Sequence, residues 1–340
     1  MSRPDLNMYY KKLENQHLGP LWEVLKGLVP NEPKPRAQPH HWDFAAVRER
    51  IIEAGTLISA EEAERRVLVL QNPGLPETSQ ITDTLYAGLQ LILPGEVAPA
   101  HRHTQSALRF IIEGSGAYTS VDGERTTMHP GDFIITPSWA WHDHGNEADE
   151  PVIWLDGLDV PLVNFLRAGF REEHENAVHK TVRPEGDAMA RYGMGLVPIT
   201  LNRGGLDTSP VFNYPYERTR EALEHLRHDE PDPHHGHCLR YVNPTNGDWA
   251  IPTIATSMRL LPKGFHTRPY ASTDGAVMVV VEGRVKVKIG SEEFLARPKD
   301  VLALPGWLPY ELEAVEDTVA FTYSDRPVYE KLGLWREWLG

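Results

Sequence analysis

One strand-rich pattern occurs twice in this chain, and that repetition constrains the fold more than any other feature. Residues 277–283 end on Glu282-Gly283 and echo residues 108–114, which end on Glu113-Gly114. Residues 299–305 in turn echo residues 131–137, each closing on a proline, Pro305 and Pro137. Short apolar runs bounded by Gly, Pro and Asp read as strands, and a block of them recurring with the same internal order marks a duplicated β unit. A chain of 340 residues is long enough for two such cores. The expected organisation is a helical arm and linker over residues 1–60, a first barrel over 61–165 and a connector over 166–250. A second, degenerate barrel over 251–325 and a C-terminal helix over 326–340 complete it.

Local signals fill in that outline. Residues 5–28 read as helical, with Trp22, Val24 and Leu25 on a packing face, until Pro30, Pro33, Pro35 and Pro39 impose an extended strap. A short helix is expected over 42–54 and another over 216–228, followed by a turn-rich stretch at 230–246. The formal charge of -14 argues against a phosphate-binding surface, so nucleic acid is not an expected partner. No apolar run approaches the length that crosses a bilayer. The single cysteine, Cys238, excludes an internal disulfide framework, and the first residues carry no secretory pattern, so a cytoplasmic location is expected.

The chemistry concentrates in the first block. Side chains alternate along a strand, so His101 and His103 point one way and Arg102 the other. A meander then follows: a strand at 106–112, a turn at 113–116, a strand at 117–121, a hairpin turn at Asp122-Gly123, and a further strand at 133–136. It returns His142 to the first two imidazoles, and the three spell a metal site. The second block has decayed at these places. His266-Thr267-Arg268 is the nearest candidate for the His-x-His pair, and Tyr310 falls where His142 would be, so this copy is expected to hold no metal.

These residues resemble the two cupin motifs. Gly95, His101-x-His103 and Gly114 match the first, although Ala107 stands at the usual glutamate ligand; Gly131, Pro137, His142 and Asn146 match the second, with Trp139 in place of a glycine. With the duplication, the whole chain resembles the bicupin ring-cleaving dioxygenases, the gentisate 1,2-dioxygenase family with its salicylate and 1-hydroxy-2-naphthoate relatives. The resemblance implies a mainly β fold of two double-stranded β-helix (jelly-roll) barrels, with an N-terminal helical arm and a helical connector. It also implies Fe(II), a homotetramer, and conversion of gentisate and O2 to maleylpyruvate. Physically, three neutral imidazoles leave the +2 charge of a metal uncancelled and about three positions open, which suits a chelating 2-hydroxy aromatic acid plus O2. Imidazole serves zinc equally well, and a zinc hydrolase using Asp143 or His144 as base is the competing reading at the metal. A non-catalytic storage or ligand-binding bicupin is the alternative of another class.

Alternation assigns the substrate contacts. Gln105, Ala107 and Arg109 share the ligands' face, which makes Arg109 the carboxylate anchor; a rim salt bridge is the plainer alternative, and the resemblance places a substrate-binding arginine here as well. Tyr86, Gly88 and Gln90 share one face of the preceding strand, reading as an aromatic wall, a gap and an amide, or as ordinary packing. Arg65 reads as a second pocket arginine or a solvated charge. His144 shares His142's parity and is expected to face the cavity, with a pKa near neutrality that suits proton transfer. Asp143 is expected to turn outward. Asp156 resembles a pocket aspartate of the family, with a turn residue as the alternative. The His234-His235-Gly236-His237-Cys238 run is read as structural, and His40, His41, His174 and His179 as surface or satisfied core residues.

Overall fold

A computed structural model describes residues 3–201 and 204–340, in two compact units, residues 1–34 and 35–340. The larger unit holds two antiparallel barrels, and their strands correspond one to one. In the first barrel the six-stranded sheet runs Asn213–Tyr214, Phe133–Thr136, Ala107–Glu113, Val152–Leu158, Tyr86–Ile92, Val67–Val69. In the second it runs His40–Trp42, Val301–Leu304, Ala276–Glu282, Thr318–Ser324, Ala255–Leu261, His237–Arg240. The five-stranded sheets match likewise: Arg171–Glu173, Val97–His103, His142–Asn146, Ala117–Val121, Glu124–Thr127 against Glu337–Leu339, Tyr270–Ser272, Tyr310–Ala314, Val285–Ile289, Glu292–Ala296. This is the expected bicupin.

The register corrects one correspondence. His101 pairs with His142 across its ladder, and Tyr270 pairs with Tyr310 across the matching one. Further along, Leu158 faces Ala107 as Ser324 faces Ala276. Tyr270 and Ser272 therefore hold the places of His101 and His103. His266, the expected remnant of the pair, lies before that strand with its side chain half exposed and paired to Glu311 at 3.2 Å. Matching by residue chemistry pointed to it; hydrogen-bond register places the ligand positions four residues later.

The expected boundaries also shift, because both barrels borrow edges from outside their own blocks. The strap leads into His40–Trp42, which adds to the second barrel beside Val301–Leu304. The connector supplies Arg171–Glu173 and Asn213–Tyr214 to the first barrel and His237–Arg240 to the second. An edge strand whose backbone groups are unpaired must be covered, and these short segments do so. At the C-terminus the expected helix spans only Arg326–Lys331, and Glu337–Leu339 is a strand on Tyr270–Ser272. The two six-stranded sheets pack back to back: Phe110 stacks on Phe321 with ring centroids 4.3 Å apart, and the Tyr323 hydroxyl donates to the Tyr86 carbonyl at 3.1 Å.

Helices fall close to where capping signals put them. Phe44–Leu57 starts at Asp43, whose carboxylate accepts from the Ala46 N–H at 3.1 Å, and Tyr216–Leu226 follows Pro215. In the smaller unit the expected single helix is two, Arg3–Glu14 and Leu21–Leu28, because the left-handed His17 and then Gly19-Pro20 break it. Trp22, Val24 and Leu25 are exposed rather than packed, while the Trp22 indole donates to the Tyr10 hydroxyl at 2.9 Å.

The duplication predicts a matched pair of weak points. Gly114 and Gly283 occupy equivalent turns at φ of +82° and +74°, and a Cβ there would meet the Pro151 carbonyl at 2.4 Å or the Asp317 carbonyl at 2.1 Å. Gly114→Ala and Gly283→Ala should each lose about 1–3 kcal/mol from backbone strain alone, with the steric clash added. Urea unfolding measures this, and unchanged midpoints in both variants would contradict the equivalence.

Candidate metal centre

His101 and His103 sit at the end of Val97–His103, and His142 opens the neighbouring strand, so adjacent-strand register brings the three rings together. Their ligand atoms lie within 4.8 Å of one another, and His101 and His142 have ring centroids 4.2 Å apart. Each Nδ1 is within hydrogen-bond distance of a backbone carbonyl: His101 with Pro99 at 2.9 Å, His103 with Gln105 at 2.8 Å, His142 with Ala140 at 2.9 Å. A carbonyl can only accept, so the proton sits on Nδ1 and each Nε2 carries the lone pair that a metal would use. The His142 Nε2 is buried and has no hydrogen-bond partner. Three neutral nitrogen donors, one of them a buried nitrogen without a partner, fit a divalent transition metal. Arg102 points away as alternation requires, with its guanidinium 4.5 Å from the centroids of both Trp139 and Trp141 and its Nη2 2.6 Å from Glu172.

A cavity of about 420 Å3 opens beside the ligands, lined by Arg65, Tyr86, Gln90, Gln105, Arg109 and Asp156 among others. Arg109 and Asp156 are buried and directly opposed across neighbouring strands, with Nε and Oδ1 3.3 Å apart, and Arg109 Nη1 donates to Thr136 at 2.5 Å. The ion pair lacks hydrogen-bond alignment at Arg109 Nε. Burial pushes the Asp156 carboxyl up from its ordinary value, against the pull of Arg109 and Arg65. Arg65 is a pocket residue, not a solvated charge: its Nη2 lies 2.7 Å from the His101 Nε2, and burial followed by the Arg109 charge pulls it down to about 10. That contact uses the lone pair a metal needs, so the two compete. The Gln90 Oε1 is buried and unpartnered.

Other expected residues land differently. Gly88 is no open gap, since a Cβ there would meet the Tyr86 hydroxyl at 2.5 Å and Val67 at 2.6 Å; the glycine lets the Tyr86 ring fold over the strand. His144 is fully buried behind His142, with Nδ1 3.0 Å from the Thr119 hydroxyl and Nε2 unpartnered. Burial, then the Arg109 charge, holds it well below its ordinary value rather than near neutrality, which favours the neutral imidazole. Asp143 turns away from the ligands as expected and receives the His179 N–H at 3.1 Å and its Nδ1, which removes Asp143 as a base for the zinc-hydrolase reading. Asp156 lies mid-strand and is not a turn residue. The connector's contribution to the wall, Gly169, Phe170 and Arg171, was missed: nothing in its mixed sequence signals a pocket, and only the pairing of Arg171–Glu173 with the His101 strand brings it there. Among the described residues the three-His group is the metal-capable cluster, and the His234–Cys238 run forms none.

Burial first, and for His101 then Arg65, pulls His101 down to about 3; burial pulls His103 down to about 4 and His142 well below its ordinary value. A folded-state pKa below the unfolded one contributes stability that is complete above about pH 6.5 and is lost as pH falls toward about 4. Metal-free protein should lose up to about 1.4 kcal/mol per pH unit per histidine across that window. Urea unfolding of the wild type and of His103→Asn measures it; identical pH slopes would refute the assignment.

A barrel pair with one three-histidine centre defines a bicupin metalloprotein. The cupin-domain family profile matches residues 88–159. Over 330 residues the chain is 54% identical to gentisate 1,2-dioxygenase 1 of Aquipseudomonas alcaligenes, covering 97% of this chain and 95% of that protein. It is 33% identical to 1-hydroxy-2-naphthoate 1,2-dioxygenase of Nocardioides sp. (strain KP7), covering 97% and 86%. The crystal structure of salicylate 1,2-dioxygenase from Pseudoaminobacter salicylatoxidans with gentisate superposes with a TM-score of 0.94 at 33% identity, covering 100% and 95%. The chain belongs to the gentisate 1,2-dioxygenase family of bicupin ring-cleaving dioxygenases. No helix among the described residues is long and apolar enough to cross a membrane.

Proposed function

We propose that this chain is an Fe(II)-dependent dioxygenase that converts gentisate and O2 to maleylpyruvate, breaking the ring bond between the carboxyl-bearing carbon and its hydroxyl-bearing neighbour. The observation that carries the reading is three converging neutral imidazoles beside a cavity lined by two arginines. His101, His103 and His142 would hold the metal, which supplies the one-electron chemistry that O2 needs to react with a closed-shell ring. Arg109 anchors the substrate carboxylate, with Asp156 fixing the guanidinium and Thr136 holding its far edge. Arg65 gives the second positive charge, released toward substrate once His101 is engaged. Tyr86 walls the ring.

Gentisate is preferred over salicylate and 1-hydroxy-2-naphthoate because of Gln90. Gln90 lines the cavity and its Oε1 is a buried acceptor without a partner, and the additional ring hydroxyl of gentisate is a donor. Asp156 is the pocket carboxylate that takes that hydroxyl's proton, and His144 supports the site from behind His142. Membership in a family of enzymes disfavours the storage reading. A homotetramer and a cytoplasmic location complete the proposal. O2 uptake with a panel of the three acids tests it, with gentisate expected to be turned over fastest.

A further inference from the structure

The second barrel lost its ligands but kept a cavity. About 290 Å3 remains at the place equivalent to the metal pocket, near the lower end of small-molecule sites. Tyr270, Ser272 and Tyr310 stand where the three histidines stand in the first barrel. A charge has been gained there. By register Arg259 replaces Gln90: Gln90 pairs with Trp154 four residues before the Leu158 position, and Arg259 pairs with Ala320 four before Ser324.

Arg259 lines this cavity at 5% exposure, and neither its Nε nor its Nη1 has a hydrogen-bond partner. Burial weighs most on its charge, and the groups that act on it next are the Tyr310 phenol, which also hydrogen-bonds to it, the Cys238 thiol and the Tyr270 phenol, none of them a carboxylate. In the first barrel, Arg109 has Asp156; at the position equivalent to Asp156 the second barrel has Thr322, whose hydroxyl is likewise buried and unpartnered. The other charged groups facing the cavity are engaged: Arg326 Nε donates to Glu330 at 2.7 Å, Arg240 to the Gly247 carbonyl at 3.2 Å, and Asp274 accepts from the Trp335 indole at 3.1 Å. A buried guanidinium without a counter-charge is strongly unfavourable, and a chain that keeps one beside an unused hydroxyl has a ligand position.

We infer that the second barrel binds a small aromatic carboxylate, held by the Arg259 guanidinium and the Thr322 hydroxyl, with its ring against Tyr270, Tyr310 and Leu304. A carboxylate takes two parallel hydrogen bonds from arginine, either at the Nε–Nη2 side or at the Nη1–Nη2 end, and Arg259 has one unpartnered donor on each, Nε and Nη1. The aromatic and aliphatic wall selects an apolar body over a bare anion. The site is separate from the metal pocket and stands whether or not gentisate is the substrate of the first barrel.

Calorimetric titration of the anaerobic, metal-loaded full chain with benzoate tests this, with inorganic phosphate as second probe. Wild type should take up two benzoates per chain, Arg109→Gln one, and Arg259→Gln one. Affinity at the second-barrel site should fall about 10- to 100-fold when Arg259 is replaced. Gln is the residue that fills this position in the first barrel, and Thr322→Val, which keeps the shape and removes the hydroxyl, gives an independent variant weakening the same site. One benzoate per chain that vanishes in Arg109→Gln and is untouched by both second-barrel changes would overturn the inference. Phosphate binding as tight as benzoate at Arg259 would overturn the aromatic specificity.

Discussion

His142→Ala will yield a folded protein that retains no metal and takes up no O2 with gentisate. His142 is the fully buried ligand whose Nε2 has no other partner, and it is the ring closest to His101. Two nitrogens, His101 and His103, remain, and Ala107 offers no carboxylate to replace the third. Metal contributes several kcal/mol to such a reaction, so turnover should fall at least about 10^3-fold at 1.36 kcal/mol per decade. Metal content after gel filtration, circular dichroism and O2 uptake together check this. Wild-type metal content would remove His142 from the ligand set.

Arg109→Leu should produce the largest effect on substrate affinity without disturbing metal content. It removes the carboxylate anchor and leaves Asp156 buried beside only the more distant Arg65. Truncating one partner of a buried charge pair costs about 2–5 kcal/mol, so KM for gentisate should rise by roughly 10^2-fold or more. Part of the damage is to stability, and Arg109→Leu combined with Asp156→Asn separates the two. The double variant should regain stability, because no lone carboxylate stays buried, and should not regain affinity. Affinity restored in the double variant would mean that Arg109 serves only to neutralise Asp156.

The metal centre was legible because its information is local. His-x-His on one strand fixes the facing of two rings by alternation alone, and the distance to Pro137 and His142 places the third. The Asp122-Gly123 hairpin was equally local, and both residues take the positive φ it needs. What failed to show in the sequence depends on register between strands far apart in the chain. Arg109 meets Asp156, and Tyr270 rather than His266 takes the place of His101, only once the ladders are paired. The downward push on the His144 pKa is likewise long-range, since it arises from burial and then the Arg109 charge, which no local pattern encodes. The connector's part in the pocket wall and the strand that residues 40–42 lend to the second barrel are long-range pairings of the same kind.

The central claim is that this chain couples a three-histidine metal to cleavage of a chelating aromatic acid. Protein loaded anaerobically with Fe(II) and mixed with gentisate in an O2 electrode cell addresses it most directly. One O2 should be consumed per gentisate, with a ring-opened product that retains every carbon and gains both oxygen atoms. No O2 consumption with gentisate, salicylate or 1-hydroxy-2-naphthoate, in protein shown to carry one iron per chain, would contradict the account.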